Sequence, residues 1–143
     1  MSDFRKLADT MFASPQIDID DLAEAQNLGI TLVINNRPDG EDPSAPQSEA
    51  IEGAATKLGM DYLSIPIGHS GFSEGQIIAM QDALAGSDGK VLAYCRSGTR
   101  STFLWSLARA KSGAAPDDIA EAAQSAGYDV SPIRPMLDML ASR

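Results

Sequence analysis

The sequence predicts an α/β fold of three layers, with a mainly parallel sheet flanked by helices. Three observations carry this. Short apolar, β-branched runs alternate along the chain with longer segments whose apolar residues recur at helical spacing. The run at 91–95 breaks at Cys95 into a polar, Gly-containing loop, and residues 102–111 then return to helical spacing. The chain has 143 residues, 43% of them hydrophobic, enough for one domain over 1–143 with one sizeable core.

Taken in order, residues 4–17 hold Phe4, Leu7, Met11 and Phe12 and fit either a short strand pair or an irregular cover over the sheet. Residues 18–28 predict a helix. Asp18, Asp20 and Asp21 crowd its first turn, where the dipole favours acids, and Gly29 stops it. The β-branched run 31–35 is a central strand, leading into a loop at 36–43 marked by Pro38, Gly40 and Pro43. A helix over 47–58 puts Ile51, Ala54, Ala55 and Leu58 on one face, and 61–65 is a strand closed by Pro66. After a loop at 68–72, Ser73 and Gln76 have the spacing of a capping box and open a helix to about residue 84. The Cys95 strand and its helix follow. Pro116 begins another helix that stops at Gly127, and a last one starts near Ser131-Pro132, with Pro135 in its first turn, where a missing N–H costs little.

Bulk properties narrow the function classes. A net charge of −9 argues against nucleic acid or an anionic membrane as partner. The basic residues beside Cys95 run against that acidic background. One cysteine excludes an internal disulfide and suits a reducing compartment, and the N-terminal residues lack a signal peptide's apolar segment, so the expectation is a cytoplasmic protein. His69 is the lone histidine, with no Cys, Asp or His at ligand spacing, so no metal site and no cofactor are expected.

Cys95 is the centre of the chemistry. A strand, a tight loop and a helix N-terminus with a thiol at the bend make an anion cradle: loop N–H groups and the helix dipole face inward, and Arg96 and Arg100 add full charges. All of these favour thiolate over thiol, so Cys95 is expected to titrate below the ~8.5 of a free cysteine. In a parallel sheet, ligands bind beyond the carboxyl ends of the strands. That edge would gather the loops at 35–37, 67–70 and 95–100. Arg37 is then either a third positive charge over the pocket or an ion-pair partner of Asp39, Glu41 or Asp42. His69 is a proton donor, a substrate hydrogen-bond donor or a plain loop residue. Tyr94 faces away from Cys95 along the strand, and Trp105 belongs to the core.

The stretch Cys95-Arg96-Ser97-Gly98-Thr99-Arg100-Ser101, with 34–41 and Leu63-Ser64-Ile65-Pro66, resembles the phosphatase-like domain found fused to, or encoded beside, beta-lactamase-fold hydrolases of the persulfide dioxygenase type. The resemblance implies a fold like that of dual-specificity phosphatases, and a hydrolase of that type as a partner. Its members carry both phosphatase and sulfurtransferase labels. Cysteine phosphatases use Cys-x5-Arg, whereas Arg100 is the fifth residue after Cys95, giving Cys-x4-Arg, one residue short. The shorter loop looks like that of rhodanese-type sulfurtransferases. The stretch 67–71 also lacks the carboxylate that protonates a leaving alkoxide in dual-specificity phosphatases. The sequence therefore favours sulfane-sulfur transfer from thiosulfate or a small persulfide, through a Cys95 persulfide, to a thiol, sulfite or cyanide. In that reading Cys95 and Arg100 are catalytic, and Arg96, Ser97, Gly98, Thr99, Ser101, Arg37 and His69 bind the small anion. The alternatives are a cysteine-dependent phosphatase acting on aryl phosphates and a non-catalytic anion-binding module that docks a partner oxidoreductase.

Overall fold

In the computed structural model, which describes residues 2–142, five strands form one sheet. Strand β1 (Arg5–Ala8) pairs antiparallel with β2 (Met11–Ser14), so residues 4–17 contain the strand pair and not an irregular cover. Strands β3 (Ile30–Asn35), β4 (Asp61–Ser64) and β5 (Lys90–Tyr94) are parallel to one another and to β2, in the order β1-β2-β5-β3-β4. The most apolar strand, β5, lies in the middle, where both its faces are covered.

Alternation along β5 separates two cores. Leu92 and Tyr94 join Leu22 and Ala25 of α1 (Asp21–Asn27) and Ile51 and Ala55 of α2 (Ser48–Lys57) on one face. Val91 and Ala93 face the other way, toward α3 (Glu74–Gly86), α4 (Thr99–Lys111), α5 (Pro116–Ser125) and α6 (Arg134–Ala141). A 3₁₀ turn over Ser131–Ile133 leads into α6. The predicted capping box is formed: the Ser73 hydroxyl accepts from the Gln76 N–H, and the Gln76 side chain accepts from the Ser73 N–H.

Two helix starts differ from the sequence reading. Helix α1 begins at Asp21 and not at 18, because Asp18 and Ile19 lie in a turn whose carbonyls accept from Asp21 and Leu22, and the Asp21 carboxylate accepts from the Asp18 N–H. Helix α4 begins at Thr99, three residues earlier than its apolar pattern. Ser101, Thr102, Leu104, Trp105 and Leu107 are all buried in it, and α3, α5 and α6 pack around it. A helix buried on most sides carries no clean amphipathic signal. Among the described residues, no helix is long and apolar enough to cross a membrane.

Candidate active site

Because β2, β5, β3 and β4 are parallel, their carboxyl ends open on one edge of the sheet. The three loops expected there are present. A fourth, Pro15-Gln16 after β2, joins them. The Cys95 N–H donates to the Ser14 carbonyl at 3.3 Å, and the Asn36 N–H donates to the Tyr94 carbonyl at 2.9 Å, so the thiol is fixed between the ends of β2 and β3. Cys95 itself is fully buried.

The orientation of the loop can be read from its carbonyls. The Arg96 carbonyl accepts from the Gln16 N–H at 3.2 Å. The Ser97 carbonyl accepts from the Tyr128 hydroxyl at 3.0 Å. The Gly98 carbonyl accepts from both the N–H and the hydroxyl of Thr102, each at 2.9 Å. In a trans peptide the following N–H points the opposite way. Three carbonyls held outward therefore turn the N–H groups of Ser97, Gly98 and Thr99 inward. The Gly98 N–H meets the Cys95 sulfur at 3.1 Å, and the Thr99 N–H reaches the Ser97 hydroxyl at 3.3 Å. Gly98 takes φ +91°, a conformation that favours glycine, and a Cβ there would overlap the Tyr128 hydroxyl. The first-turn N–H groups of α4 lack intrahelical acceptors and extend the same positive surface.

Arg100, in that first turn, is held by a residue outside the loop. Its Nη1 and Nη2 donate to the two carboxylate oxygens of Glu41 at 2.8 and 2.7 Å, and Nη1 also donates to the Ile67 carbonyl at 2.8 Å. Arg37 secures Glu41 from behind. Its Nε donates to Glu41 at 2.8 Å, its Nη1 donates to the Gln16 side chain at 3.0 Å, and only 9% of it is exposed. The Arg100 fork holds the Glu41 carboxyl down at about 2 against the opposing effect of burial, and the hydrogen bond from Arg37 adds to it. Glu41 in turn raises the Arg100 pKa, so the guanidinium stays charged. These contacts leave the Nε–H of Arg100 and one Nη2 hydrogen for a ligand.

The predicted residues thus divide. Cys95, Ser97, Gly98, Thr99 and Arg100 converge. Arg96 stands exposed; the Asp42 carboxyl is lowered first by hydrogen bonds from Ser44, then by the charge of Arg37, and last by that of Arg96. Arg37 is not a third charge over the pocket, because it is buried and committed to Glu41 and Gln16. Ser101 is also turned away: it is buried, and its hydroxyl donates to the Asn36 side chain at 2.8 Å, leaving only its backbone to face an anion. His69 is exposed in a turn, and no hydrogen bond brings it to Cys95. Glu41, Gln16 and Tyr128 are the residues the sequence reading missed as parts of the site. In the sequence Glu41 stands out only as a possible partner for Arg37, which it also is.

A loop of this shape on this sheet has known relatives. The profile of the family described as "Beta-lactamase hydrolase-like protein, phosphatase-like domain" matches residues 3–112. The chain belongs to that family. Members of the same kind include beta-lactamase hydrolase-like proteins of Xylella fastidiosa Temecula1 and Agrobacterium fabrum C58. The first is 36% identical over 118 residues, 82% of this chain and 27% of the relative; the second is 35% identical over 113 residues, 78% and 26%. The chain therefore spans about a quarter of the length of these curated relatives. A crystal structure of a presumed phosphatase from Neisseria meningitidis Z2491 superposes with a TM-score of 0.85 at 30% identity, covering 98% of this chain and 99% of that one. TpbA of P. aeruginosa shares the fold at 16% identity and a TM-score of 0.68, over 99% of this chain and 89% of its own. The phosphatase-like domain is thus a cysteine-phosphatase fold around a single buried thiol.

Proposed function

We propose that this domain is a cysteine-dependent phosphatase of restricted scope, acting on phosphomonoesters whose leaving groups need no proton donor. The observation that carries the reading is Cys95 on the floor of a ring of inward N–H groups, with the Arg100 fork fixed over it by Glu41. The family's phosphatase-like description and the 30%-identical presumed phosphatase support it. Cys95 thiolate attacks phosphorus, the S–P bond forms, and the bond to the leaving oxygen breaks. The ring amides and the free edge of Arg100 hold the phosphoryl oxygens, where charge builds up. Water then attacks phosphorus, releasing phosphate and restoring the thiolate.

Scope is limited by the acids at hand. The stretch 67–72 carries no carboxylate, and Glu41 is held ionised at neutral pH, so neither donates a proton to an alkoxide. Aryl phosphates, which leave as stable phenolates, escape this limit. This ordering reverses the preference drawn from the sequence, since the comparisons favour phosphatase chemistry over sulfur transfer.

Sulfur transfer remains the second reading, favoured by one feature: only four residues separate Cys95 from Arg100. A ring one peptide short encloses less space, which suits a single sulfane sulfur, and sulfite leaves thiosulfate without a proton. A hydrolase of the persulfide dioxygenase type would be the natural partner in that case. One preparation separates the two. Hydrolysis of p-nitrophenyl phosphate that disappears in Cys95→Ser supports the first reading. Thiocyanate formed from thiosulfate and cyanide, with one sulfur added to Cys95 by mass spectrometry, replaces it with the second. If neither product forms, the domain is a non-catalytic anion-binding module.

A further inference from the structure

The chemistry proposed above leaves Tyr128 unused, although it touches the loop. Each of the three outward carbonyls has its own anchor. Arg96 is held by the Gln16 backbone, and Gly98 by both the backbone and side chain of Thr102. Ser97 is held by the Tyr128 hydroxyl, from the turn after α5 and 31 residues away in sequence. The peptide between Ser97 and Gly98 is also the one best able to turn over, because Gly98 adopts positive and negative φ with similar ease. Turned over, it would point the Ser97 carbonyl at Cys95 and withdraw the Gly98 N–H from the sulfur. An acceptor would then face the thiolate in place of a donor.

We infer that Tyr128 is a positioning residue, whose hydroxyl holds the Ser97–Gly98 peptide so that the Gly98 N–H is aimed at the Cys95 sulfur. The ring is itself well seated. It is buried, the Arg5 guanidinium lies 5.0 Å from its centroid, and it fills the space a side chain at 98 would need. Burial raises the Tyr128 pKa, so the phenol keeps its proton and remains a donor. Residues 113–142, which lie beyond the family match, thus contribute to the reactive loop through one hydroxyl.

The inference rests on Cys95 acting as a nucleophile, and two readouts keep the two claims apart. Tyr128→Phe in the full chain keeps the ring and its Arg5 contact and removes only the oxygen. Amide hydrogen exchange at Gly98 should become faster. Alkylation of Cys95 by iodoacetamide near pH 6 should slow by roughly three- to tenfold, the effect of one hydrogen bond on a charged group. Its pH profile should move upward, with little change in thermal stability. Parental Gly98 exchange together with a parental alkylation profile would overturn the inference, whatever happened to the melting temperature. If the parent alkylates no faster than a free thiol, the nucleophile reading fails, and Gly98 exchange alone decides whether Tyr128 clamps the loop. Should Tyr128→Phe not fold, Arg5→Leu unseats the ring while leaving the hydroxyl. A shift in the same direction supports the clamp, and an unmoved profile overturns it.

Discussion

Glu41 couples two arginines that would otherwise repel each other beside the thiol. Its side chain is 22% exposed and accepts from both guanidinium groups. The folded carboxyl titrates at about 2, against an ordinary 4.5, so its stabilising contribution is complete above about pH 4.5 and disappears as the pH falls through about 2. After screening by the nearby solvent, that contribution is on the order of 1–3 kcal/mol. Glu41→Gln should therefore be less stable than the parent by that amount at neutral pH, and the two unfolding curves should converge as acid titrations approach pH 2. A pH-independent gap, followed by circular dichroism in urea, would contradict the assignment. Gly98→Ala meets both a positive φ and the Tyr128 hydroxyl. It should cost roughly 1–3 kcal/mol in thermal unfolding and abolish turnover. The two residues also mark what the sequence could show. Gly98 was legible because a thiol, a glycine and two basic residues follow one another directly. The Glu41–Arg100 pair spans 59 positions and starts from a loop rich in Pro and Gly, where charge gives no direction.

The ends of the elements, more than their interiors, set the site. The Asn36 side chain, just past β3, accepts from the Ser101 hydroxyl in α4 and donates to the Ile65 carbonyl beyond β4, so one amide joins three elements without solvent. Ser101→Ala leaves the buried Asn36 oxygen without its donor, which costs about 1–3 kcal/mol. Ser106→Ala, also buried in α4, removes a hydroxyl that only bonds back to the Thr102 carbonyl of its own helix, so it should cost much less. Urea unfolding of both variants tests the difference, and equal losses would rule out the cross-element bridge. Strands β3, β4 and β5 and the Ser73 cap were legible because local residues decide them. The early start of α4 was not, because Thr99 to Ser101 lack an apolar period and the Gly98–Thr102 bonds that open the helix run through a backbone carbonyl, which leaves no mark in the residue pattern.

At the scale of the whole molecule, the family match ends at residue 112, but the physical unit does not. Ile119, Ala123, Tyr128, Val130, Leu137 and Leu140 are buried against the same core as Leu104 and Leu107 of α4. The Neisseria structure covers 98% of this chain, so the same helical cover is present in a relative at 30% identity. Burial of each large aliphatic or aromatic side chain contributes roughly 1.5–3 kcal/mol, so the five large ones in this set together contribute an amount comparable to the total stability of an ordinary domain. A chain ending at Ser112 should therefore lose its cooperative thermal transition and bind a dye for exposed apolar surface. Cys95 in that chain should alkylate at the rate of a free thiol, since Tyr128 and the packing that holds α4 are gone together. A truncated chain that still unfolds cooperatively, with parental Cys95 reactivity, would mean that the sheet and α4 alone build the cradle.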